Sequence, residues 1–194
     1  MRLFAAIHPP PAAVTDLTAR VAELRIAASV DARLADPAHL HLTLAFLGDV
    51  SDERLVDVES ALGLAAQSFR HGRVSSPRLR LGGGGTFGAG RSTVLWVDAR
   101  GATDALDMLS RLVRLALHRA ELPYDDKPFR PHLTVARPGD RVHRADVRAD
   151  REALHGYAGP EWPADELVLN RSHLGRAPRY TRLAAWSLHP AAGC

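Results

Sequence analysis

Cysteine is almost missing from this chain: Cys194, the final residue, is the only one. One thiol closes no intrachain disulfide, and no cysteine cluster is available to hold a metal. Lysine is equally scarce, with Lys127 alone, so arginine supplies nearly all the positive charge behind the net charge of +3. No uninterrupted apolar stretch approaches membrane-spanning length, so no membrane partner is expected. The opening Met1-Arg2-Leu3-Phe4-Ala5-Ala6-Ile7-His8-Pro9-Pro10 has too short an apolar run for a secretory signal. These absences predict a soluble, cytoplasmic protein. The 46% hydrophobic share of 194 residues suffices for one domain, or two closely packed lobes, with a substantial core.

The arginines could serve phosphate recognition, because the guanidinium fork suits phosphate oxygens. A compositional bias toward Arg, Ala and Leu is the favoured account of them as a group, and total charge does not establish a nucleic-acid binder.

What the chain does have is a stretch it uses twice. His39-Leu40-His41-Leu42-Thr43-Leu44-Ala45-Phe46-Leu47-Gly48-Asp49 alternates as a strand, with Leu40, Leu42 and Leu44 on one face and His39, His41 and Thr43 on the other. It returns as His132-Leu133-Thr134-Val135-Ala136-Arg137-Pro138-Gly139-Asp140, 91 positions later. Applied upstream, the same offset lays the expected strand Leu3 to Ile7 on Val94 to Asp98. It lays the apolar helix positions Val14, Leu17, Val21 and Leu24 on Ala105, Met108, Leu112 and Leu115, predicting one core face used twice without a gap. About 0.4 His-x-Thr triplets are expected by chance in this composition; two of them, each trailing a matching strand and helix, predict an internal duplication. The expected organisation is a single domain of two lobes, from strand–helix–strand units near 3–49 and 94–140.

Elsewhere, Leu55, Val58, Leu62 and Ala65 predict a helix after Ser51-Asp52-Glu53, and Thr103 to Arg119 predicts another. Arg78 to Leu81 reads as a strand. The glycine-rich 82–90 segment lacks the lysine and strand–loop–helix order of a phosphate loop, so it reads as a hairpin connection. Arg141 to Glu152 reads as a solvated mixed-charge surface. Glu166 to Leu169 and Leu183 to Leu188 read as the last strands.

Two such units packed about an approximate two-fold axis would bring His41 and His132 face to face. Phosphoryl transfer places attacking and leaving oxygens roughly in line, and an imidazole on each side can supply base and acid near neutral pH. Thr43 and Thr134 can donate hydrogen bonds to the non-bridging oxygens. A metal site on His39, His41 and His132 can also be drawn, but neither motif carries an acidic residue on that face, and no metal is expected.

The motifs Leu40-His41-Leu42-Thr43-Leu44 and Arg130-Pro131-His132-Leu133-Thr134-Val135 resemble the two-histidine phosphoesterase superfamily, and within it the bacterial RNA 2′,3′-cyclic phosphodiesterases, also called 2′-5′ RNA ligases. Arg2 to Ile7, Val94 to Val97 and Gly175-Arg176-Ala177-Pro178-Arg179-Tyr180 extend the resemblance along the chain. It implies a bilobal α+β fold, with two pseudo-two-fold-related antiparallel β-sheets lining a central cleft and helices outside. It implies hydrolysis of RNA 2′,3′-cyclic phosphate ends to 2′-phosphomonoesters without cofactor, with His41 as proton donor, His132 as proton acceptor, and Thr43, Thr134 and Arg130 on the phosphate. Some relatives join or cleave 2′-5′ linkages in transfer RNA halves. The rival expectations are a phosphodiesterase for small cyclic phosphates or 2′-5′ oligonucleotides, and a non-catalytic RNA- or nucleotide-binding module on the same fold. A monomer is expected. His39 lies outside the resemblance and carries no role from it.

Overall fold

The computed structural model describes every residue except 72, 74, 174, 176–178 and 191–194. Cys194 and most of the 174–178 stretch therefore lie outside the described residues. In chain order the elements are β1 (Arg2–Ile7), α1 (Pro11–Ala22), β2 (Arg33–Leu34), β3 (Leu42–Asp49), α2 (Leu55–Arg70), β4 (Arg78–Phe87), β5 (Val94–Gly101), α3 (Thr103–Arg119), β6 (His132–Arg137), α4 (Arg144–His155), β7 (Trp162–Pro163), β8 (Glu166–His173) and β9 (Arg179–Ser187). They form an α+β fold with two antiparallel sheets, ordered β3-β1-β8-β9 and β2-β6-β5-β4-β7. Among the described residues no helix is long and apolar enough to cross a membrane.

The two strands carrying His-x-Thr meet where β3 packs against β6. Behind them Leu42, Leu44, Leu133 and Val135 belong to one buried core shared by both sheets. The helices are exchanged. α1 follows β1 of the first sheet yet lies against β4 of the second, and α3 follows β5 of the second sheet yet packs on β3 of the first. α2 packs on α3, β8 and β9, while α4 packs on β4 and β5.

Four expectations need correction. First, the ungapped offset fails outside the motifs. Ala6 pairs with Thr43 and Trp96 with Thr134, so the first strands match at an offset of 90. The buried pairs Leu17/Leu109 and Val21/Val113 match at 92. Met108 and Leu115, expected inward, are 51% and 44% exposed, because a one-residue slip turns a helical position by about 100°.

Second, Gly82 to Gly85 lie inside β4 instead of in a loop, and only the turn after Phe87 connects β4 to β5. A β-carbon at Gly84 would stand 2.6 Å from the Arg151 carbonyl of α4, and one at Gly85 2.0 Å from Trp96 Cζ2. Absence of side chains lets a helix and an indole lie directly on the strand. Gly83, at φ +80°, sits at the register shift of the β4–β5 ladder, a bulge that favours glycine.

Third, the segment read as a solvated surface contains α4. Its Asp150 is 2% exposed and accepts the backbone N–H groups of Arg25 and Ile26, each at 2.9 Å. The carboxylate thus satisfies the start of the 3₁₀ turn Arg25–Ala28.

Fourth, His39 is not on the strand. It ends a 3₁₀ turn, Pro37–His39, whose first free amide, Ala38 N–H, is accepted by the Asp36 carboxylate at 2.9 Å.

Candidate active site

His41 enters β3 from that turn, and His132 opens β6 after Pro131. Each ring is held in the same way. His41 Nδ1 lies 2.7 Å from the His39 carbonyl, and His132 Nδ1 lies 2.8 Å from the Arg130 carbonyl. A carbonyl only accepts, so both Nδ1 atoms carry the proton and donate it, leaving Nε2 as the exchangeable nitrogen. Thr43 and Thr134 follow two residues along, both half-buried and at equivalent pairing positions in the two sheets.

Aromatic rings wall both histidines. Phe4 lies 4.7 Å from His41 between ring centroids, and Tyr180 stands edge-on to it at 5.2 Å and 87°. Phe87 stands edge-on to His132 at 4.8 Å, with Trp96 6.0 Å away. Burial, helped by the positive fields of His8, His132 and His39, pushes His41 down from 6.5 to about 4, against the opposing pull of the His39 carbonyl.

Arg130 does not point away as a free phosphate ligand. Its guanidinium lies over the Trp96 ring at 4.1 Å and over Phe87 at 5.5 Å, with Nε 3.8 Å from Asp98 Oδ1. Stacking fixes its plane beside His132 and leaves its donors at the rim. His39, His41 and His132 form no metal-binding cluster; among the described residues no group of three His, Cys, Asp or Glu side chains is placed to hold an ion.

Several residues of the site carried no readable signal in the sequence. His8 lies with its ring 6.0 Å from His41, and its Nε2 is 3.2 Å from Asn170 Oδ1. Asn170 is 2% exposed. Burial lowers the His8 pKa, and the bond to Asn170 opposes it. A cavity of about 280 Å³ beside His41 is lined by His8, Ala38, His39, Asn170, Tyr180 and Arg182. Only the antiparallel pairing of β1 with β3, Ile7 opposite Leu42, brings residue 8 next to residue 41. A larger cavity, about 460 Å³, lies between α2 and α3 and contains none of these groups.

Residues 9–176 match the family model of the 2'-5' RNA ligase superfamily. The RNA 2',3'-cyclic phosphodiesterase of Thermus thermophilus is 33% identical, over 97% of this chain and 90% of its own length. The Escherichia coli protein of that name is 33% identical, over 77% of this chain and 76% of its own. That of Geobacillus stearothermophilus is 31% identical over 76% of this chain, which spans only 45% of that relative. Among solved structures, TT0787 of Thermus thermophilus superposes with a TM-score of 0.75 at 30% identity, covering 99% of this chain and all of that one. Escherichia coli LigT complexed with 3'-AMP does so at 0.67 and 29% identity, covering 96% and 97%.

Proposed function

The chain belongs to the 2'-5' RNA ligase superfamily, and on that premise we propose that it opens RNA 2′,3′-cyclic phosphate ends to 2′-phosphomonoesters by acid–base catalysis between His41 and His132, without metal. The relatives named RNA 2',3'-cyclic phosphodiesterase support the reaction class. The observation that carries the mechanism is the matched Nδ1 bonding of the two rings, which leaves each an Nε2 able to take or give one proton.

In this reading His132 Nε2 accepts a proton from water as the water oxygen bonds to phosphorus. The bond from phosphorus to the 3′ oxygen breaks on the opposite side, and His41 Nε2 gives that oxygen its proton. The products are a 2′-phosphomonoester and a 3′-hydroxyl. The Thr43 and Thr134 hydroxyls donate to the non-bridging oxygens, where charge accumulates. Arg130, braced on Trp96, lends positive charge to the same phosphate. With a 5′-hydroxyl in place of water, the same displacement leaves a 2′-5′ linkage, the ligase direction on transfer RNA halves.

Burial favours a second reading of the roles. On its own His41 is neutral at pH 7, the state of a base, while His132 is the better hydrated ring. The substrate's own negative charge works against the desolvation of His41 and draws a proton to it, which restores it as the acid. We also read the chain as one domain of two lobes from an internal duplication, supported by the equivalent pairings Ala6/Thr43 and Trp96/Thr134.

The test is product analysis on an RNA with a 2′,3′-cyclic end, with chelator present. The expected product is the 2′-phosphate, at a rate the chelator leaves unchanged. A 3′-phosphate product, or turnover abolished by chelator, overturns the proposal.

A further inference from the structure

The cavity of about 280 Å³ beside His41 has a floor, a wall and one cation. The floor is Asn170 with His8. Asn170 Nδ2 donates to the Val168 carbonyl at 3.3 Å, which turns Oδ1 toward His8 Nε2 at 3.2 Å. Both side chains are thus committed to protein partners. The wall is the edge-to-face pair of Tyr180 and His39, with ring centroids 5.1 Å apart. The cation is Arg182 of β9, directly opposite Asn170 in the β8–β9 pairing. It donates to Glu166 Oε2 at 3.0 Å, in an ion pair whose two side chains are half exposed. That bond uses one corner of the guanidinium and leaves the rest of the fork to the cavity it lines.

The location indicates the occupant. In the proposed reaction His41 gives its proton to the departing 3′ oxygen, so the ribose lies on the His41 side and its base leaves the sugar there. Tyr180 joins the two places, because its ring stands edge-on to His41 at 5.2 Å and also lines the cavity. A flat ring with apolar faces and a polar edge suits a slot bounded by aromatic rings and a guanidinium. The guanidinium meets that edge with donors only. Guanine offers it N7 and O6, both acceptors, and uracil offers O4. Adenine carries an amino group where guanine has O6, and cytosine carries one where uracil has O4, so donor would face donor.

Resting on that reading, we propose that this cavity is a nucleobase subsite in which Arg182 reads a carbonyl edge, so that cyclic ends carrying guanine or uracil are preferred to those carrying adenine or cytosine. Guanine, with two acceptors for one fork, is the best ligand. His8 and Asn170, locked together, set the depth of the slot without competing for the edge of the base.

The experiment measures kcat and KM on short oligoribonucleotides with 2′,3′-cyclic ends that differ only in the last base, using wild type, Arg182→Leu and Arg182→Gln. The exposed ion pair with Glu166 contributes little to folding, so both variants should melt as wild type does. Wild type should favour the guanine end over the adenine end about tenfold, within the worth of one bidentate contact. The preference should lie in KM, because the base takes no part in the chemistry. Arg182→Leu should bring the ratio to about one. Arg182→Gln, whose amide both donates and accepts, should turn it toward adenine. Equal KM for all wild-type substrates, or a preference that survives Arg182→Leu, overturns the inference. If wild type opens none of them, binding of the same strands, fluorescently labelled, separates the two failures. Guanine-selective binding that is lost in Arg182→Leu overturns the proposed reaction and supports the subsite; unselective binding overturns both.

Discussion

The backbone of Gly85 lies so close to the indole of Trp96 that a β-carbon on residue 85 would stand 2.0 Å from Cζ2. Trp96 in turn carries Arg130 and flanks His132. Gly85→Ala must displace the indole and the surface it supports. A loss of about 1–3 kcal/mol in urea unfolding is expected, together with reduced turnover. Gly156→Ala, where nothing stands within 4 Å, should change neither. Equal stability of the two variants would contradict this packing account.

The acid and the base are needed in the same step. His41→Ala or His132→Ala should each lower kcat by about 10²–10⁴-fold, and the double variant should lose far less than the product of the two. Thr43→Val or Thr134→Val removes one donor to the phosphate and should cost up to about 10²-fold. Single-turnover rates on a cyclic-ended RNA test this. Full activity in either alanine variant would remove that histidine from the mechanism.

Burial of His41 also makes stability depend on pH. Its folded pKa, about 4, lies below the ordinary 6.5, so between these values the unfolded chain holds the extra proton. The contribution is complete above pH 6.5 and is lost as pH falls toward 4, by an amount of the order of 3 kcal/mol. His8, lowered chiefly by its own burial, acts in the same direction. Urea unfolding across that window should show a shallower loss in His41→Gln than in wild type; superimposable profiles would rule out the contribution.

Asp150 should matter for folding and not for chemistry. Asp150→Ala leaves the amides of Arg25 and Ile26 unpaired, at about 2–3 kcal/mol. Asp150→Asn, keeping one acceptor oxygen, should fall between. Thermal melts give the ranking, and a neutral Asp150→Ala would refute the capping role.

The parts legible in the sequence were those with a local signal. Thr103–Arg119 is helical as its spacing predicts, and Leu40, Leu42 and Leu44 are buried as their alternation predicts. What stayed hidden depends on partners far along the chain. Leu106, Leu109 and Val113 face inward in α3 only because of how it lies on β3 and α2, and Ala105, Met108 and Leu112 offered an equally apolar stripe. Gly82 to Gly85 read as a loop because nothing local reveals a helix and an indole pressed onto that strand. Asp150 looked like one more surface acid until α4 met the turn at Arg25. His8 and Asn170, 162 residues apart, needed the direct pairing of β1 with β8 to meet.

The exchange of α1 and α3 between the sheets has a consequence for how such a chain could have arisen. A single copy of the strand–helix–strand unit would own a sheet face without cover and a helix without a seat. Two copies satisfy each other by lending helices. Under the duplication proposed above, the precursor that meets this requirement is a homodimer with exchanged helices, one histidine contributed by each subunit. Joining the two copies in one polypeptide would have freed the halves to diverge, and the dry ring at residue 41 and the wetter one at residue 132 are what such freedom allows.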